Sequence, residues 1–316
     1  MKLLTVILNY KTPDMCLKAA DALMASTETL PDARLVIVDN DSQDGSFEKL
    51  REAVADRPWK ARAEVLQSGH NGGFGAGNNF GIRHNLSGND PADYFYILNP
   101  DAFPTKDAVV KLVDFLDNHA YVGIAGSYIE GPDGVFHHTA FRFPSLISEL
   151  EAGLGFGPAS KLLKDWIVPL PMPERTQQVD WLAGASMMIR RQVLEKIGLF
   201  DETFFLYFEE TDLCRRSLVA GWPTYYVKDS VVVHIGSATT GMKDKARPMP
   251  RFWFDSRKHY FEKHHGPMYL KASNVAWAGG HLLWQVRKVI QRKVDHHPPG
   301  LLRDFIKHNF FPARRT

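Results

Sequence analysis

Cysteine is scarce in this chain. Only Cys16 and Cys214 occur among 316 residues. Two thiols cannot build the framework of a disulfide-stapled secreted domain, and they point to a reducing compartment. Long apolar runs are also missing. A membrane-spanning helix needs about 18–20 apolar residues. The nearest candidate, 272–286, is shorter and contains Asn274, His281 and Gln285. The N-terminal run Leu3–Leu8 stops at Asn9-Tyr10-Lys11. It is too short for a signal-peptide core and reads as a buried strand. The chain has no internal repeat, Walker loop, His-Glu-x-x-His or zinc-type cysteine pair, which excludes the chemistries those patterns carry. With 44% apolar and 23% charged residues it is neither disordered nor fibrous.

What is present is an uneven distribution of charge. Residues 1–241 hold 22 Lys+Arg against 31 Asp+Glu, whereas residues 242–316 hold 16 against 5. The formal net charge of +2 therefore joins an acidic body to a basic tail. We expect a body over 1–241, divided near residue 118, and a helical basic region over 242–316.

Within the body, apolar runs rich in β-branched residues alternate with helical spacings. Strands are expected at Leu3–Leu8, Arg34–Asp39, Ala63–Gln67 and Tyr94–Leu98. Helices are expected at Asp14–Met24 and Ser46–Val54, after the glycine-rich segment 70–77, and at Thr105–Asn118. This alternation predicts an α/β fold with a mainly parallel sheet covered on both faces. Functional groups then gather at the C-terminal strand ends, where Asp39, the segment 70–78 and Asp101 fall. Residues 142–178, rich in Pro and Gly, read as a loop region. Order returns at 179–190, and strands are expected at Thr224–Val227 and Ser230–His234. Adjacent histidine pairs at 137–138, 264–265 and 296–297 read as surface residues. The glycines at 72–77 do not complete the Gly-x-Gly-x-x-Gly spacing of a dinucleotide site.

Several motifs together resemble family-2 glycosyltransferases with the GT-A fold. They are Val38-Asp39-Asn40-Asp41-Ser42, Asn71-Gly72-Gly73-Phe74-Gly75-Ala76-Gly77-Asn78, Leu98-Asn99-Pro100-Asp101, Trp181-Leu182-Ala183-Gly184-Ala185, Phe208-Glu209-Glu210-Thr211-Asp212 and His234. The Leu-Asn-Pro-Asp stop and the segment 256–266 look most like bacterial rhamnosyltransferases, which use dTDP-rhamnose. The resemblance implies an inverting transfer from a nucleotide-sugar donor to a saccharide or lipid-linked saccharide acceptor. It places the work at the inner face of the cytoplasmic membrane, in envelope polysaccharide synthesis.

Each part has a chemical reason. A leaving diphosphate gathers negative charge that bound Mg2+ or Mn2+ neutralises. Asp101 resembles the last Asp of the family's Asp-x-Asp, and His234 resembles a further metal ligand. Asn99 replaces the motif's first Asp, and meets the ribose or a metal-bound water instead. The resemblance makes Glu210 the general base, with Glu209 beside it. A carboxylate neighbour and an aromatic wall both raise a Glu toward neutrality. Asn9, Tyr10, Asp39 and Asp41 are expected around the nucleotide base, although Asp41 also suits an Asx turn. Asn71, Gly72, Gly73 and Asn78 are expected along the nucleotide. Trp181, Gly184 and Ala185 are expected to shape the acceptor pocket, Trp181 being equally at home in a core.

In the basic region, Arg257 or Lys258 is expected at the diphosphate. Aromatics interleaved with cations over 251–266 and 277–293 suit an anionic membrane surface. Packing on the body or on a second subunit is the alternative. The acidic body argues against nucleic acid. Other readings of the chain are a transferase of another sugar, or a glycan-binding protein on a degenerate fold.

Overall fold

The computed structural model describes residues 1–236 and 246–311. The expected boundary at 241/242 lies outside the described residues. The chain order is β1 Leu3–Asn9, α1 Pro13–Ser26, β2 Ala33–Asp39, α2 Ser46–Ala55, β3 Ala63–Gln67, α3 Gly73–Leu86, β4 Tyr94–Leu98, β5 Ala102–Pro104, α4 Ala108–Asn118 and β6 Ile124–Glu130. It continues with β7 Ala140–Phe141, α5 Leu146–Leu154, α6 Gly157–Leu162, β8 Gln177–Val179, β9 Trp181–Leu182, β10 Ser186–Arg190, α7 Arg191–Ile197, α8 Glu209–Val219 and β11 Thr224–His234. Three helices follow, α9 Arg251–His265, α10 Pro267–Ile290 and α11 Leu301–Phe310.

The first four long strands pair in parallel in the order β3-β2-β1-β4. Every residue of β1 is buried, as a central parallel strand requires. Its alternate side chains feed two cores. Leu3 and Ile7 meet residues of α1, α2 and α4, whereas Leu4, Val6 and Leu8 meet residues of α3, α7 and α8. Beyond β4 the sheet is mixed. Strand β10 enters antiparallel between β4 and β6, and β11 runs parallel to β6. The two strands expected at 224–227 and 230–234 are one strand with a register shift between Val227 and Val231. That irregularity turns Ser230 inward, where hydroxyls of Tyr96, Ser186, Ser127 and Ser230 form a buried chain across four strands. Ser230 closes the chain by donating to the Ala108 carbonyl, so every hydroxyl along it has a partner and the polar atoms cost little to bury.

The stretch 142–178 departs from expectation. It contains α5, whose start is capped by Ser145, with Ser148 returning a hydrogen bond to the Ser145 N–H. Helix α5 is the seat of α10. A Cβ on Gly153 would lie 2.5 Å from the Trp277 carbonyl oxygen, and one on Gly280 would lie 2.9 Å from the Leu154 nitrogen. The helix was hidden in the sequence because its partner surface lies more than a hundred residues downstream.

The C-terminal helices are stitched to the body by charge. Arg257, 1% exposed, donates to Glu149 Oε2 at 2.6 and 3.0 Å and to Asn274 Oδ1 at 2.6 Å. It also lies over the rings of Phe261 and Phe305. Buried Asp212 accepts from Arg216, His264 and Lys263. Burial opposes its charge, yet these three partners hold its carboxyl below the ordinary range. The expected surface histidines at 264–265 are therefore corrected. His264 serves Asp212, and His265 meets the Arg215 guanidinium at 2.9 Å. Arg257→Ala should lower the unfolding free energy by about 3–5 kcal/mol, because it strands the Glu149 carboxylate. Replacing Arg257 and Glu149 together with Met should cost less than the single change. Urea titration of both variants measures the difference.

Candidate active site

A cavity of about 650 Å3 opens where the strand ends converge. Tyr10 follows β1, Asn40 follows β2, Asn71 and Gly73 begin α3, and Asn99 to Asp101 follow β4. His234 ends β11, and Gly184 and Ala185 lead into β10. Glu209 and Glu210 enter from the first turn of α8. Ten of the expected site residues thus share one cavity.

The antiparallel entry of β10 brings the two walls together. The Asn99 N–H donates to the Ala185 carbonyl at 3.1 Å, which ties the β4 stop to the 183–185 segment. At that stop Asp101 Oδ1 lies 3.0 Å from His234 Nε2, and Asn99 Nδ2 lies 3.5 Å from the same nitrogen. Among the described residues no third His, Cys, Asp or Glu completes a metal cluster with them. The pair nevertheless fits one hard cation. Adjacent ligands on an octahedral ion with bonds of about 2.1 Å sit about 3.0 Å apart, and carboxylate plus imidazole suits Mn2+ as well as an all-oxygen set suits Mg2+.

Across the cavity the backbone is forced into an unusual path. Tyr207 and Phe208 both adopt left-handed φ, 70° and 71°. Such conformations cost free energy in bulky residues and persist where the surroundings impose them. They swing the chain so that α8 begins at the cavity wall. Glu209 is 2% exposed. Burial and the neighbouring Glu210 charge raise its carboxyl well above the ordinary range. Burial also raises Glu210, whereas its own N–H and the Gly184 N–H, 3.4 Å from Glu210 Oε1, favour its ionised form. Among the described residues neither Oε2 has a hydrogen-bond partner. The two carboxyls thus share one desolvated wall, and both hold a proton more tightly than an ordinary Glu.

Other expected residues sit elsewhere. Asn9 and Asp39 are fully buried beneath the cavity. Asp39 accepts from Asn9 Nδ2 at 2.7 Å and from the Ser42 hydroxyl and N–H at 2.6 and 3.0 Å. Its carboxylate shapes the turn after β2, and the side chain beside the opening is Asn40. Asp41 has left-handed φ and accepts from the Gln43 amide. Asn78 is buried and donates to the Phe74 carbonyl. Gly72 is half-buried and outside the lining. Trp181 stacks on Phe141 at 4.1 Å and donates to the Arg142 carbonyl, so it belongs to the small β7–β9 sheet. Arg257 is engaged with Glu149, and Lys258 is outside the lining. Arg257 is thus corrected as a diphosphate ligand, because its guanidinium is spent on Glu149 and Asn274.

Residues missed from the sequence include His137, His138, Thr139 and Phe252, whereas Phe205 and Tyr207 come from the aromatic run expected beside the glutamates. The 137–138 pair was visible but read as surface. The aromatic run at 204–208 was the one usable signal for its part of the wall.

Residues 5–198 match the sequence model of glycosyl transferase family 2. This chain belongs to that family. The N-acetylglucosaminyl-diphospho-decaprenol L-rhamnosyltransferase of Mycobacterium tuberculosis is 30% identical over 215 residues, 66% of this chain and 68% of that protein. The rhamnosyltransferase WbbL of Escherichia coli is 25% identical over 164 residues, covering 51% and 60%. Among solved structures, a mannosyltransferase from Pyrobaculum calidifontis in complex with GDP-Man and Mn2+ superposes with a TM-score of 0.60 at 14% identity, covering 92% of this chain and 75% of that one. The family-2 glycosyltransferase described here therefore has the GT-A fold.

The raised carboxyl of Glu209 has a consequence for stability. A group whose folded value is raised favours folding below the ordinary Glu value and loses that contribution as pH rises through the folded value. Glu209→Gln removes the cost that folding meets at this site above the ordinary Glu value, where the carboxyl must either take up a proton or bury a charge. It should raise the melting temperature by about 2–4 °C at pH 8 and by little at pH 4. An equal gain at both pH values in calorimetry would show that burial of charge is not the cause.

Proposed function

We propose that this family-2 glycosyltransferase is an inverting rhamnosyltransferase. It takes L-rhamnose from dTDP-L-rhamnose and adds it to a lipid-linked saccharide in envelope polysaccharide synthesis. The observation that carries the reading is the pairing of two unlike acidic sites in one cavity. Asp101 faces an imidazole partner at 3.0 Å, while Glu209 and Glu210 occupy the opposite, desolvated wall. The likeness to two proteins named as rhamnosyltransferases supports the sugar. The name of the mycobacterial relative supports an acceptor built on a lipid diphosphate.

In this reading Tyr10, Asn40 and Asn71 bind the nucleoside. Tyr10 presents an aromatic face, and Asn40 donates to Asn71 Oδ1 at 3.0 Å, which fixes both amides. Asp101 and His234 hold Mg2+ or Mn2+, with the Asn99 amide beside them. A divalent cation there supplies positive charge against the departing diphosphate. Glu210 accepts the proton of the acceptor hydroxyl as that oxygen attacks the anomeric carbon. Glu209, kept neutral by burial and by its neighbour, leaves the single negative charge on Glu210. With one base and no covalent nucleophile the displacement inverts, so a β-linked donor yields an α-rhamnoside. The enzyme works as a peripheral protein at an anionic membrane surface. Among the described residues no helix is long and apolar enough to cross a membrane.

Thermal-shift titration with dTDP, UDP and GDP, each with and without Mn2+, tests the donor. The largest stabilisation is expected with dTDP plus Mn2+. No response to any nucleotide would end the transferase reading, and a preference for UDP would end the rhamnose one. Glu210→Gln should lower turnover about 10²–10⁴-fold while the dTDP-induced shift survives. Turnover retained by that variant would exclude Glu210 as the base.

A further inference from the structure

The outward face of α10 is an apolar strip that nothing among the described residues covers. Its inward residues, among them Leu270, Trp277, His281 and Trp284, are buried against α5, α9 and α11. On the opposite side Val275, Leu282, Leu283, Val286, Val289 and Ile290 are each between 52% and 75% exposed. Apolar side chains at this density are rarely left in water without a partner. The 24-residue helix is about 36 Å long at 1.5 Å per residue, so the strip is long and straight.

Charge identifies the partner. No Asp or Glu occurs from Pro267 to Val294. Lys271 near the start, and Arg292 and Lys293 just past the end, are exposed. Arg287 and Lys288 are turned away from the strip. The Arg287 guanidinium caps the carbonyls of Leu154 and Gly155, and Lys288 pairs with Asp295. An apolar strip with cations at both ends and no acid along it matches an anionic lipid surface, with acyl chains beneath and phosphates at the rim.

We infer that the outward face of α10 is the membrane-docking surface, and that the helix lies in the headgroup plane of an anionic bilayer. The aromatics over 251–266 are not that surface. Phe254, Tyr260 and Phe261 are buried, as are Trp277 and Trp284. The helix does not cross the bilayer, because its inner face is fastened to α5. The inference extends the proposed function by placing the enzyme where a lipid-linked acceptor resides. It does not depend on which sugar is transferred.

The test is vesicle co-sedimentation of the full chain and of a Leu282→Glu/Val286→Glu/Ile290→Glu variant. The vesicles are equimolar phosphatidylglycerol and phosphatidylcholine, compared with phosphatidylcholine alone. The wild-type chain should pellet with the anionic vesicles and release at high salt. The variant should bind at least tenfold more weakly, with its melting temperature and dTDP-induced shift unchanged. Because the nucleotide measurement involves no lipid, a failed donor assignment and a failed docking surface give separate results. Equal pelleting of variant and wild type, or no pelleting of either, would overturn the inference. So would a wild-type dimer that the variant converts to monomer in light scattering, since the face would then belong to a second copy.

Discussion

The contact on which the site depends is the approach of Gly73 to the Phe205 carbonyl. Gly73 has φ +89°, and a Cβ there would stand 1.8 Å from that oxygen. Only glycine allows the two chains so close. The next residue uses the proximity, its N–H donating to the same carbonyl at 3.0 Å. Asn79, further along α3, exchanges two hydrogen bonds with the backbone of Phe200. One helix therefore grips the 200–208 loop at both ends. The loop has little choice but to take the left-handed turn at Tyr207 and Phe208, and that turn delivers Glu209 and Glu210 to the cavity. The glycine-rich segment was expected to let backbone approach a nucleotide. At Gly73 it lets one wall of the site approach the other.

The same cavity keeps carboxylates in two electrostatic states. Asp101 lies beside His234, whereas Glu209 and Glu210 lie against aromatic residues with no cation in hydrogen-bond reach among the described residues. A transferase needs this contrast. In the proposed transfer, the Asp101–His234 side would meet the leaving diphosphate, and a carboxyl of raised proton affinity would meet the attacking hydroxyl. Sequence neighbours at a helix start are a compact way to raise one carboxyl with another. Helix α8 projects them from its N-terminal turn, and the Gly184 N–H then separates their roles by favouring the charged form of one.

Local pattern was enough for the parallel half of the sheet. Strand β4 has the bounds that its apolar run dictates, since a central strand buries both faces and leaves a continuous signal; the edge strand β3 also has its expected bounds, although none of its residues is fully buried. Strand ends then pointed to Asp101 and His234. What local pattern could not carry was partnership over distance. Arg257 looked like a diphosphate ligand because its partner Glu149 is 108 positions away. Trp181 looked like a pocket wall because nothing in its neighbourhood reveals the stack on Phe141. Helix α5 is nine residues long between Pro- and Gly-rich flanks, and its reason to exist is α10. Within α10 the information was present but unsorted. Trp277, His281 and Trp284 recur at helical spacing and go inward together, and the residues between them go outward.

This sorting also explains the uneven charge along the sequence. The cations of the C-terminal region do two different jobs. Arg257 and Lys263 face the body, where Glu149, Asp201 and Asp212 receive them. Part of the body's acidity therefore exists to bind its own C-terminal helices. The cations left at the ends of the outward strip have no such acids to meet. A segment that was basic only for attachment would need no surplus beyond the acids it pairs with, and one that was basic only for lipid would leave the body's acids unpaired. On the proposed docking, the helices hold both sets because they would form the layer between the body and a charged surface, each face of α9 and α10 being charged or apolar according to what it would meet.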